Sequence, residues 1–262
     1  MTSSLTGRTL CIIGGNGFIG QAIAKEASNL GAKVLCISRS GKPRKEISEP
    51  WGVRVNWIKG DAMNPNSFES VLQESDAVVH TVGTLIDTSI TRGKQPGEEG
   101  TYEHMNRETA KAIGQKLSEI GGKKLVFLSA SKAPPLINRY ITTKFQAEEF
   151  LFGLPHLRTT VLRPGYVYSD QDRVKKALSY IVDGYAHTFN FINGITPYES
   201  KLKQWLKNVD ADFSIEVRAV AIASVVGCFD HKLDGKILFN SDMEELRDLF
   251  IEKGYEFPLP SR

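Results

Sequence analysis

A short apolar segment that breaks into a run of glycines, near the start of the chain, constrains the fold more than any other feature. Residues 10–13 read LCII, and the run GGNGFIG that follows places glycines at positions 14, 17 and 20. A turn that brings backbone N–H groups against a pyrophosphate has no room for Cβ atoms at its contact points. We therefore predict a strand, a glycine turn and a helix over residues 21–30, whose positive end faces a phosphate.

The surrounding sequence favours dinucleotide binding over a glycine-rich turn of some other α/β protein. Gly31 ends the predicted helix, and residues 33–37 supply the second strand of a βαβ unit. The candidate cofactor-binding residues in this turn are Gly14, Asn16, Gly17, Phe18, Ile19 and Gly20.

The end of the second predicted strand carries no acid. A site that prefers NAD usually has Asp or Glu about 20 residues after the glycines, where it accepts from the ribose 2′-hydroxyl. Here Arg39 lies between Ser38 and Ser40 and is followed by Lys42 and Arg44. This group suits a 2′-phosphate, because guanidinium binds phosphate bidentately and the serines donate to it. The sequence thus favours NADP(H), with NAD(H) possible. Alternatively, the following basic residues, Lys42, Arg44 and Lys45, form a solvated loop.

The third predicted strand, residues 54–59, is followed by Asp61 and Ala62, which are further cofactor-binding candidates. An acid just past a strand end can accept from the adenine amino group. Asp61 can equally cap the turn into a helix over residues 66–73. The sequence leaves both alternatives open.

The fourth predicted strand, residues 77–82, closes at Gly83. A small residue there lets the backbone approach the second ribose of the cofactor, so Val82 and Gly83 complete the cofactor-binding candidates. His80 lies inside this strand, and we interpret it as a hydrogen-bonded core histidine rather than a catalytic base.

The hydrophobic pattern is interrupted over residues 85–100, where small and polar side chains predict a flexible loop at the carboxyl edge of the sheet. This loop is interpreted either as a substrate lid or as a disordered insertion. Residues 102–120 then show the spacing of an amphipathic helix, which Gly121 and Gly122 end.

The fifth predicted strand, residues 124–128, delivers Ser129 and Ser131 to the same edge of the sheet. Tyr140 and Lys144 follow at the start of a helix, where positions four apart share a face. The positive charge of Lys144 is expected to lower the pKa of Tyr140, as acid or base chemistry near neutral pH requires. Ser129, Tyr140 and Lys144 are therefore catalytic candidates.

These residues resemble, in order, the short-chain dehydrogenase/reductase superfamily in its extended and atypical branches. The match comprises the three glycines, Asn106, Ser129, Tyr140, Lys144 and the sequence Arg163-Pro164-Gly165 after a sixth strand over residues 159–162. The resemblance implies that Tyr140 donates or accepts a proton, Lys144 holds the nicotinamide ribose, Ser129 orients a carbonyl and Asn106 supports a water relay. It also adds Pro164 to the cofactor-binding candidates.

The resemblance implies an α/β fold, a Rossmann-type doubly wound parallel sheet. It would comprise an NAD(P)-binding domain over residues 1–168 and a small substrate-side lobe over residues 169–262 packed on it as one structural unit. In that lobe we predict helices over residues 173–182, 197–207, 217–229 and 241–250, and a short strand over residues 236–239. The 197–207 helix is basic and amphipathic, so it either packs on the nucleotide domain or contacts an anionic membrane or a partner. The 217–229 helix is apolar nearly all round and should be buried.

A closer resemblance, carried by the runs GGNGFIG, ISRSGK, HTVGTLID, LSASKAPPLI, YITTK and LRPGYVY, is to fungal mitochondrial proteins of the coenzyme Q biosynthetic complex, a group related to the complex I 39 kDa accessory subunit. It implies a matrix protein peripherally associated with the inner membrane, with other coenzyme Q biosynthesis proteins as partners. Two functions remain open. One is an oxidoreductase acting on a quinone-like or polyprenyl-phenol compound, and the other is a non-catalytic subunit stabilised by its cofactor.

Composition argues against several other classes of protein. The net charge of +3 is too small and too dispersed to favour a nucleic-acid partner. The three cysteines, Cys11, Cys36 and Cys228, lie in apolar segments without metal-ligand spacing, so we expect reduced core thiols and no metal site. No apolar stretch approaches the roughly 20 residues of a membrane span. The segment before the first strand is too short for a convincing amphipathic transit peptide, although its acid-free, hydroxyl-rich character leaves organellar import open.

Overall fold

The computed structural model describes residues 4–85, 87–131, 138–169 and 214–257. Within this part of the chain, seven parallel strands form one sheet, and two shorter strands pair separately. The strands are β1 (Thr9–Ile13), β2 (Lys33–Ser38), β3 (Val55–Lys59), β4 (Ala77–His80), β5 (Lys124–Leu128), β6 (Arg158–Leu162), β7 (Tyr166–Tyr168), β8 (Ser214–Glu216) and β9 (Ile237–Leu238). The order across the main sheet is β3-β2-β1-β4-β5-β6-β9, and β7 pairs with β8.

Helices cover both faces of the main sheet. They are α1 (Phe18–Asn29), α2 (Pro50–Val53), α3 (Glu69–Glu74), α4 (Thr88–Arg92), α5 (Thr109–Glu119), α6 (Asn138–Phe152), α7 (Val217–Phe229) and α8 (Asn240–Leu249). Single turns of 3₁₀ helix lie at Pro65–Phe68 and His231–Leu233, and π-helical turns at Glu103–Glu108 and Phe250–Gly254. One apolar core contains α1 and α7, whereas the other contains α3, α5 and α6. The predicted doubly wound fold is confirmed.

The central strands β1, β4 and β5 are largely apolar because each contributes side chains to both cores. In β1, Leu10 and Ile12 point to the α1 side, whereas Cys11 and Ile13 point to the other. This is the pattern of parallel strands covered on both faces. The three cysteines are free and buried.

The chain order reverses between β1 and β4. The first three strands proceed outward from β1, whereas β4, β5 and β6 proceed outward in the opposite direction. The loops after β1 and β4 therefore diverge and leave a crevice at the carboxyl edge of the sheet, which is where open α/β sheets bind ligands.

Residues 217–249 add a strand to the main sheet and helices that pack on it. Helix α7 has twelve buried residues, packs against α1 and lies over β4, β5 and β6, as its all-round apolar sequence predicts. Strand β9 pairs with β6, with Ile237 opposite Val161. Helix α8 begins with the Asp242 carboxylate accepting from the Phe239 N–H at 2.7 Å. The helices predicted over residues 173–182 and 197–207 lie outside the described residues. The predicted domain boundary at residue 168 stays a prediction.

Several predicted boundaries differ from those observed. Helix α1 begins at Phe18, three residues before the predicted start, and β4 ends at His80 rather than at residue 82. The interpretation of residues 85–100 as a disordered insertion was wrong for the part that is described, because this segment contains α4. The Asp87 carboxylate accepts from the Ser89 N–H at 2.9 Å at the start of that helix, an interaction that composition alone does not reveal.

Candidate functional site

A cavity of about 320 Å³ opens at the carboxyl ends of β1, β2, β3 and β4. Its lining contains nine of the predicted cofactor-binding residues: Gly14, Asn16, Gly17, Ser38, Arg39, Asp61, Ala62, Val82 and Gly83. Phe18, Ile19, Gly20, Ser40, Lys144 and Pro164 are not part of this lining. The fold thus brings together residues that are far apart in sequence, and their contact with a cofactor stays a prediction.

The glycine turn after β1 is shaped by close backbone approaches. Gly14 has φ +87°, a conformation that side-chain-bearing residues rarely adopt, and its carbonyl oxygen accepts from the Gly17 N–H at 2.9 Å. A Cβ on Gly20 would lie 2.5 Å from that same carbonyl oxygen. Gly20 therefore serves turn–helix packing. Ile19 packs against the core, and Phe18 is partly exposed at the start of α1.

The end of β2 forms a polar corner of the cavity. The Asn16 amide donates to the Ser40 hydroxyl at 3.1 Å, and the Ser38 hydroxyl accepts from the Gly41 N–H at 3.2 Å. Arg39 Nη1 lies 3.0 Å from Glu99 Oε1, and Arg44 also lines the cavity. Two arginines therefore line the cavity here, and one of them, Arg39, is paired with Glu99.

Asp61 serves the turn and borders the cavity at the same time. Its Oδ1 accepts from the Met63 N–H at 3.0 Å, which is the capping role considered from the sequence. The residue also lines the cavity, so the adenine role remains a prediction alongside the capping one.

Lys144 and Asn106 converge on Gly83 at the other end of the cavity. A Cβ on Gly83 would lie 3.0 Å from Asn106 Oδ1 and 3.1 Å from Lys144 Nζ. The buried Asn106 side chain accepts from the Thr84 N–H at 2.8 Å and donates to the Thr84 carbonyl, so it clamps the backbone after β4. Lys144 is buried and donates to the Leu128 carbonyl, and burial lowers the pKa of Lys144 to about 8.

The expected influence of Lys144 on the tyrosine is not found. Tyr140 packs edge-on against Tyr102, with ring centroids 5.7 Å apart. Burial, with a smaller contribution from Tyr102, raises the pKa of Tyr140 to about 12. The expectation of a lowered pKa was wrong, because helical spacing places the two residues on one face without revealing how far the phenol is removed from water.

Ser129 is buried and donates its hydroxyl proton to Glu148. Glu148 Oε2 lies 2.5 Å from Arg163 Nη2, and the Arg163 guanidinium stacks 4.3 Å from the Phe145 ring centroid. Sequence reasoning missed Glu148, although it lies four residues after Lys144 and so on the same helix face. Next to this group, Pro164 accepts from the Ser131 N–H at 2.9 Å and is buried.

The interpretation of His80 as a hydrogen-bonded core residue was wrong in one respect. The ring is buried, but neither nitrogen has a hydrogen-bond partner among the described residues. Burial, with the charge of Lys144 nearby, lowers the pKa of His80 to about 3, and the ring packs 5.6 Å from that of Phe127. The apolar neighbours of this strand position explain why the histidine stays neutral.

Ten further residues line the cavity, of which only Arg44 was weighed as a ligand contact from the sequence. These are Ile13, Ile37, Arg44, Gly60, Thr81, Thr84, Glu99, His104, Met105 and Thr109. Most of them follow β2, β3 or β4 or lie on the helical turn before α5, so the rule that ligands bind beyond strand ends would have found several. Glu99 has no such signal, because it lies beyond α4, far in sequence from the end of β4.

This arrangement fits a dinucleotide. The glycine turn and the start of α1 suit the pyrophosphate, the two arginines suit the ribose end, and apolar residues form one wall of the cavity. Among the described residues, no group of three or more side chains is arranged to hold a metal ion, and no helix is long and apolar enough to cross a bilayer. Together, the fold and the site define a Rossmann-type dinucleotide-binding protein.

Comparison with known proteins specifies this class further. The chain belongs to the NAD(P)H-binding family, which it matches over residues 14–185. The crystal structure of the Bordetella bronchiseptica enzyme WbmF in complex with NAD⁺ superposes with a TM-score of 0.60 at 17% identity, covering 98% of this chain and 83% of that one. That likeness confirms the fold.

The chain has several relatives in sequence, and two of the three described here are named as organellar proteins. An uncharacterized chloroplastic protein of Arabidopsis thaliana is 34% identical over 161 residues, 60% of this chain and 50% of that protein. MIOREX complex component 2 of Saccharomyces cerevisiae is 27% identical over 213 residues, 66% of this chain and 77% of that protein. NADH dehydrogenase (ubiquinone) 1 alpha subcomplex subunit 9, a mitochondrial protein of Arabidopsis thaliana, is 24% identical over 204 residues, 75% of this chain and 48% of that protein.

The chain spans about half the length of the two Arabidopsis relatives. The predicted resemblance to atypical dehydrogenase/reductases related to a complex I subunit is confirmed by these matches. The role in coenzyme Q synthesis stays a prediction.

Proposed function

We propose that this protein is an NAD(P)(H)-dependent oxidoreductase, with the dinucleotide in the cavity between the ends of β1 and β4. The observation that carries the proposal is the convergence of Lys144 and Asn106 on Gly83, because it places a buried ammonium beside the cavity wall. Arg39 and Arg44 would take the 2′-phosphate at the opposite end, so NADP(H) is favoured and NAD(H) remains usable.

When bound, the nicotinamide would supply hydride exchange with a carbonyl or hydroxyl compound. Lys144 would hold the nicotinamide ribose through its ammonium group. Tyr140, whose pKa is raised to about 12, keeps its phenol proton at neutral pH, and this is the form that donates to a carbonyl oxygen undergoing reduction. The Ser129 hydroxyl already donates to Glu148, so Ser131 is the alternative group for orienting the carbonyl.

We place this activity in mitochondrial ubiquinone synthesis, on a quinone-like or polyprenyl-phenol compound. The support is the resemblance carried by the sequence runs, together with a relative whose name describes a mitochondrial NADH dehydrogenase subunit. Other coenzyme Q biosynthesis proteins are the proposed partners, at the matrix face of the inner membrane.

A second candidate is a non-catalytic subunit that the dinucleotide stabilises. It is favoured by the contacts of Ser129 with Glu148 and of Lys144 with Leu128, which engage two of the catalytic candidates within the protein. Relatives named as a complex component and as a dehydrogenase subunit agree with it. Dinucleotide at a hundredfold excess over its dissociation constant would then add about 2.7 kcal/mol to the free energy of unfolding.

The experiment compares wild type with Tyr140→Phe, Lys144→Met and Gly17→Trp. Tyr255→Phe is the control, because it removes a phenol hydroxyl that contacts Asp230 and none of the predicted site residues. Thermal unfolding is followed while NADPH or NADH is titrated, and quinone intermediates are profiled in cells carrying each variant. The oxidoreductase proposal expects Tyr140→Phe to bind NADPH like wild type while a quinone precursor accumulates.

The subunit proposal expects another pattern. Tyr140→Phe and Lys144→Met would support normal ubiquinone levels, whereas Gly17→Trp, which fills the phosphate turn, would not. If Gly17→Trp binds NADPH and NADH as wild type does, the cavity is not the dinucleotide site and both proposals are wrong.

A further inference from the structure

Glu99 brings a carboxylate to the ribose end of the cavity, where β2 supplies none. Its Oε1 lies 3.0 Å from Arg39 Nη1, and both residues line the cavity. The two are separated by 60 positions, so the pair exists only because the loop after β4 folds back across the end of β2. Both side chains remain about two-thirds exposed, which leaves the pair accessible to a ligand.

The loop that carries Glu99 is held by several hydrogen bonds. Lys94 Nζ donates to the Glu99 carbonyl at 2.6 Å, and the Thr88 N–H donates to the Gly100 carbonyl at 3.3 Å. Asp87, at the start of α4, pairs with Arg139 on α6 at 3.0 Å. The backbone around Glu99 is therefore tied to the start of α4, and α4 to α6, whereas the Glu99 carboxylate is held by Arg39.

The charge at this corner decides which ribose it accepts. A 2′-hydroxyl needs a hydrogen-bond acceptor, and the Glu99 carboxylate is one. A 2′-phosphate needs guanidinium groups, and it must both compete with Glu99 for Arg39 and tolerate a negative charge beside it. An exposed ion pair is weak, so the phosphate can displace Glu99, but at a loss of affinity.

We propose that Glu99 sets the choice between NAD(H) and NADP(H) by taking the place of the acid that β2 lacks. Paired with Arg39, it accepts from the 2′-hydroxyl of NAD(H). Displaced from Arg39, it leaves that guanidinium and Arg44 to the 2′-phosphate of NADP(H). This inference rests on the proposed binding of a dinucleotide in the cavity.

The test measures the dissociation constants of NADPH and NADH by calorimetry, for full-length wild type and Glu99→Gln. The fragments 2′,5′-ADP and 5′-AMP, which differ at the 2′ position, are measured in the same way. Glu98→Gln is the matched control, because it removes the same charge from the neighbouring residue, whose carboxylate contacts the Gln95 N–H instead of Arg39. Glu99→Gln is expected to tighten NADPH and 2′,5′-ADP roughly tenfold while weakening NADH a few-fold.

The inference is overturned if Glu99→Gln changes the affinities for NADPH and NADH by the same factor or leaves both unchanged, or if Glu98→Gln shifts their ratio as much. A different result identifies failure of the proposed function itself. If neither dinucleotide and neither fragment binds wild type or the variant, the cavity is not a dinucleotide site and the role of Glu99 falls with it.

Discussion

Lys144 Nζ lies 2.8 Å from the carbonyl oxygen of Leu128, the last residue of β5. This bond ties α6 to the sheet with a side chain that is almost completely buried. It is also the contact that a nicotinamide ribose would share. The ammonium group is thus part of the fold as well as of the proposed site.

Lys144→Met should change how stability depends on alkaline pH. Burial lowers the pKa of Lys144 from 10.5 to about 8, so between these values the unfolded chain binds a proton that the folded protein has released. This group therefore makes the free energy of unfolding rise with pH, by up to about 1.4 kcal/mol per pH unit. Below pH 8 its contribution is constant.

Urea unfolding of wild type and Lys144→Met at pH 7.5, 8.5 and 9.5 measures this contribution as the difference between the two proteins. Lys45→Met, at an exposed position, is the control and should follow wild type. If the free energies of unfolding of wild type and Lys144→Met change with pH in parallel across this range, the Lys144 ammonium is not desolvated in the folded protein.

His80→Leu should remove an acid sensitivity. The folded protein holds His80 neutral down to about pH 3, whereas the unfolded chain is protonated below about pH 6.5. The free energy of unfolding of wild type should therefore fall on acidification through this window, by up to about 1.4 kcal/mol per pH unit from this group. At pH 7 the variant should be no less stable than wild type, because leucine has no unpaired nitrogens to bury.

The comparison is made by urea unfolding from pH 7 to pH 4. His156→Asn, at an exposed position with φ 63°, replaces a histidine that is in contact with water and should keep the acid dependence of wild type. If the free energy of unfolding of His80→Leu falls on acidification as steeply as that of wild type, the acid sensitivity comes from other groups.

Gly20→Ala should destabilise the fold by about 2–4 kcal/mol, because its Cβ would lie 2.5 Å from the Gly14 carbonyl oxygen, a backbone atom that cannot rotate away. Gly153→Ala is the matched control. It follows α6, and a Cβ there meets nothing closer than 3.5 Å. Chemical unfolding of both variants gives the comparison, and equal stability of the two would mean that the glycine turn relaxes without loss.

Glu148→Gln should be strongly destabilising, by about 3 kcal/mol, because it leaves the Arg163 guanidinium without its carboxylate and replaces the acceptor of the Ser129 proton. Glu149→Gln, exposed on the same helix, should be close to neutral.

A double-mutant cycle with Arg163→Met tests the pairing directly. The double variant should lose less stability than the sum of the two single variants, since neither partner is then left buried alone. Strict additivity would contradict the coupling between Glu148 and Arg163.

Local patterns were sufficient for the principal elements of this fold. The apolar run of β1, the glycines at 14, 17 and 20, and the uninterrupted apolar character of α7 each depend on residues close in sequence, so the period of hydrophobic residues and the turn chemistry predicted them. The alternation of such elements indicated a βαβ unit, and the resemblance to the dehydrogenase/reductase superfamily implied the doubly wound parallel sheet.

Tertiary structure alone decided the surroundings of the site residues. Glu99 reaches Arg39 from 60 positions away, Ser129 points to Glu148, and burial raises the pKa of Tyr140 where sequence spacing predicted a decrease. Contacts and desolvation depend on which side chains the folded chain brings together and how much water they exclude. Spacing along a helix or strand carries no information about either, so the sequence determined the candidates and the packing determined their chemistry.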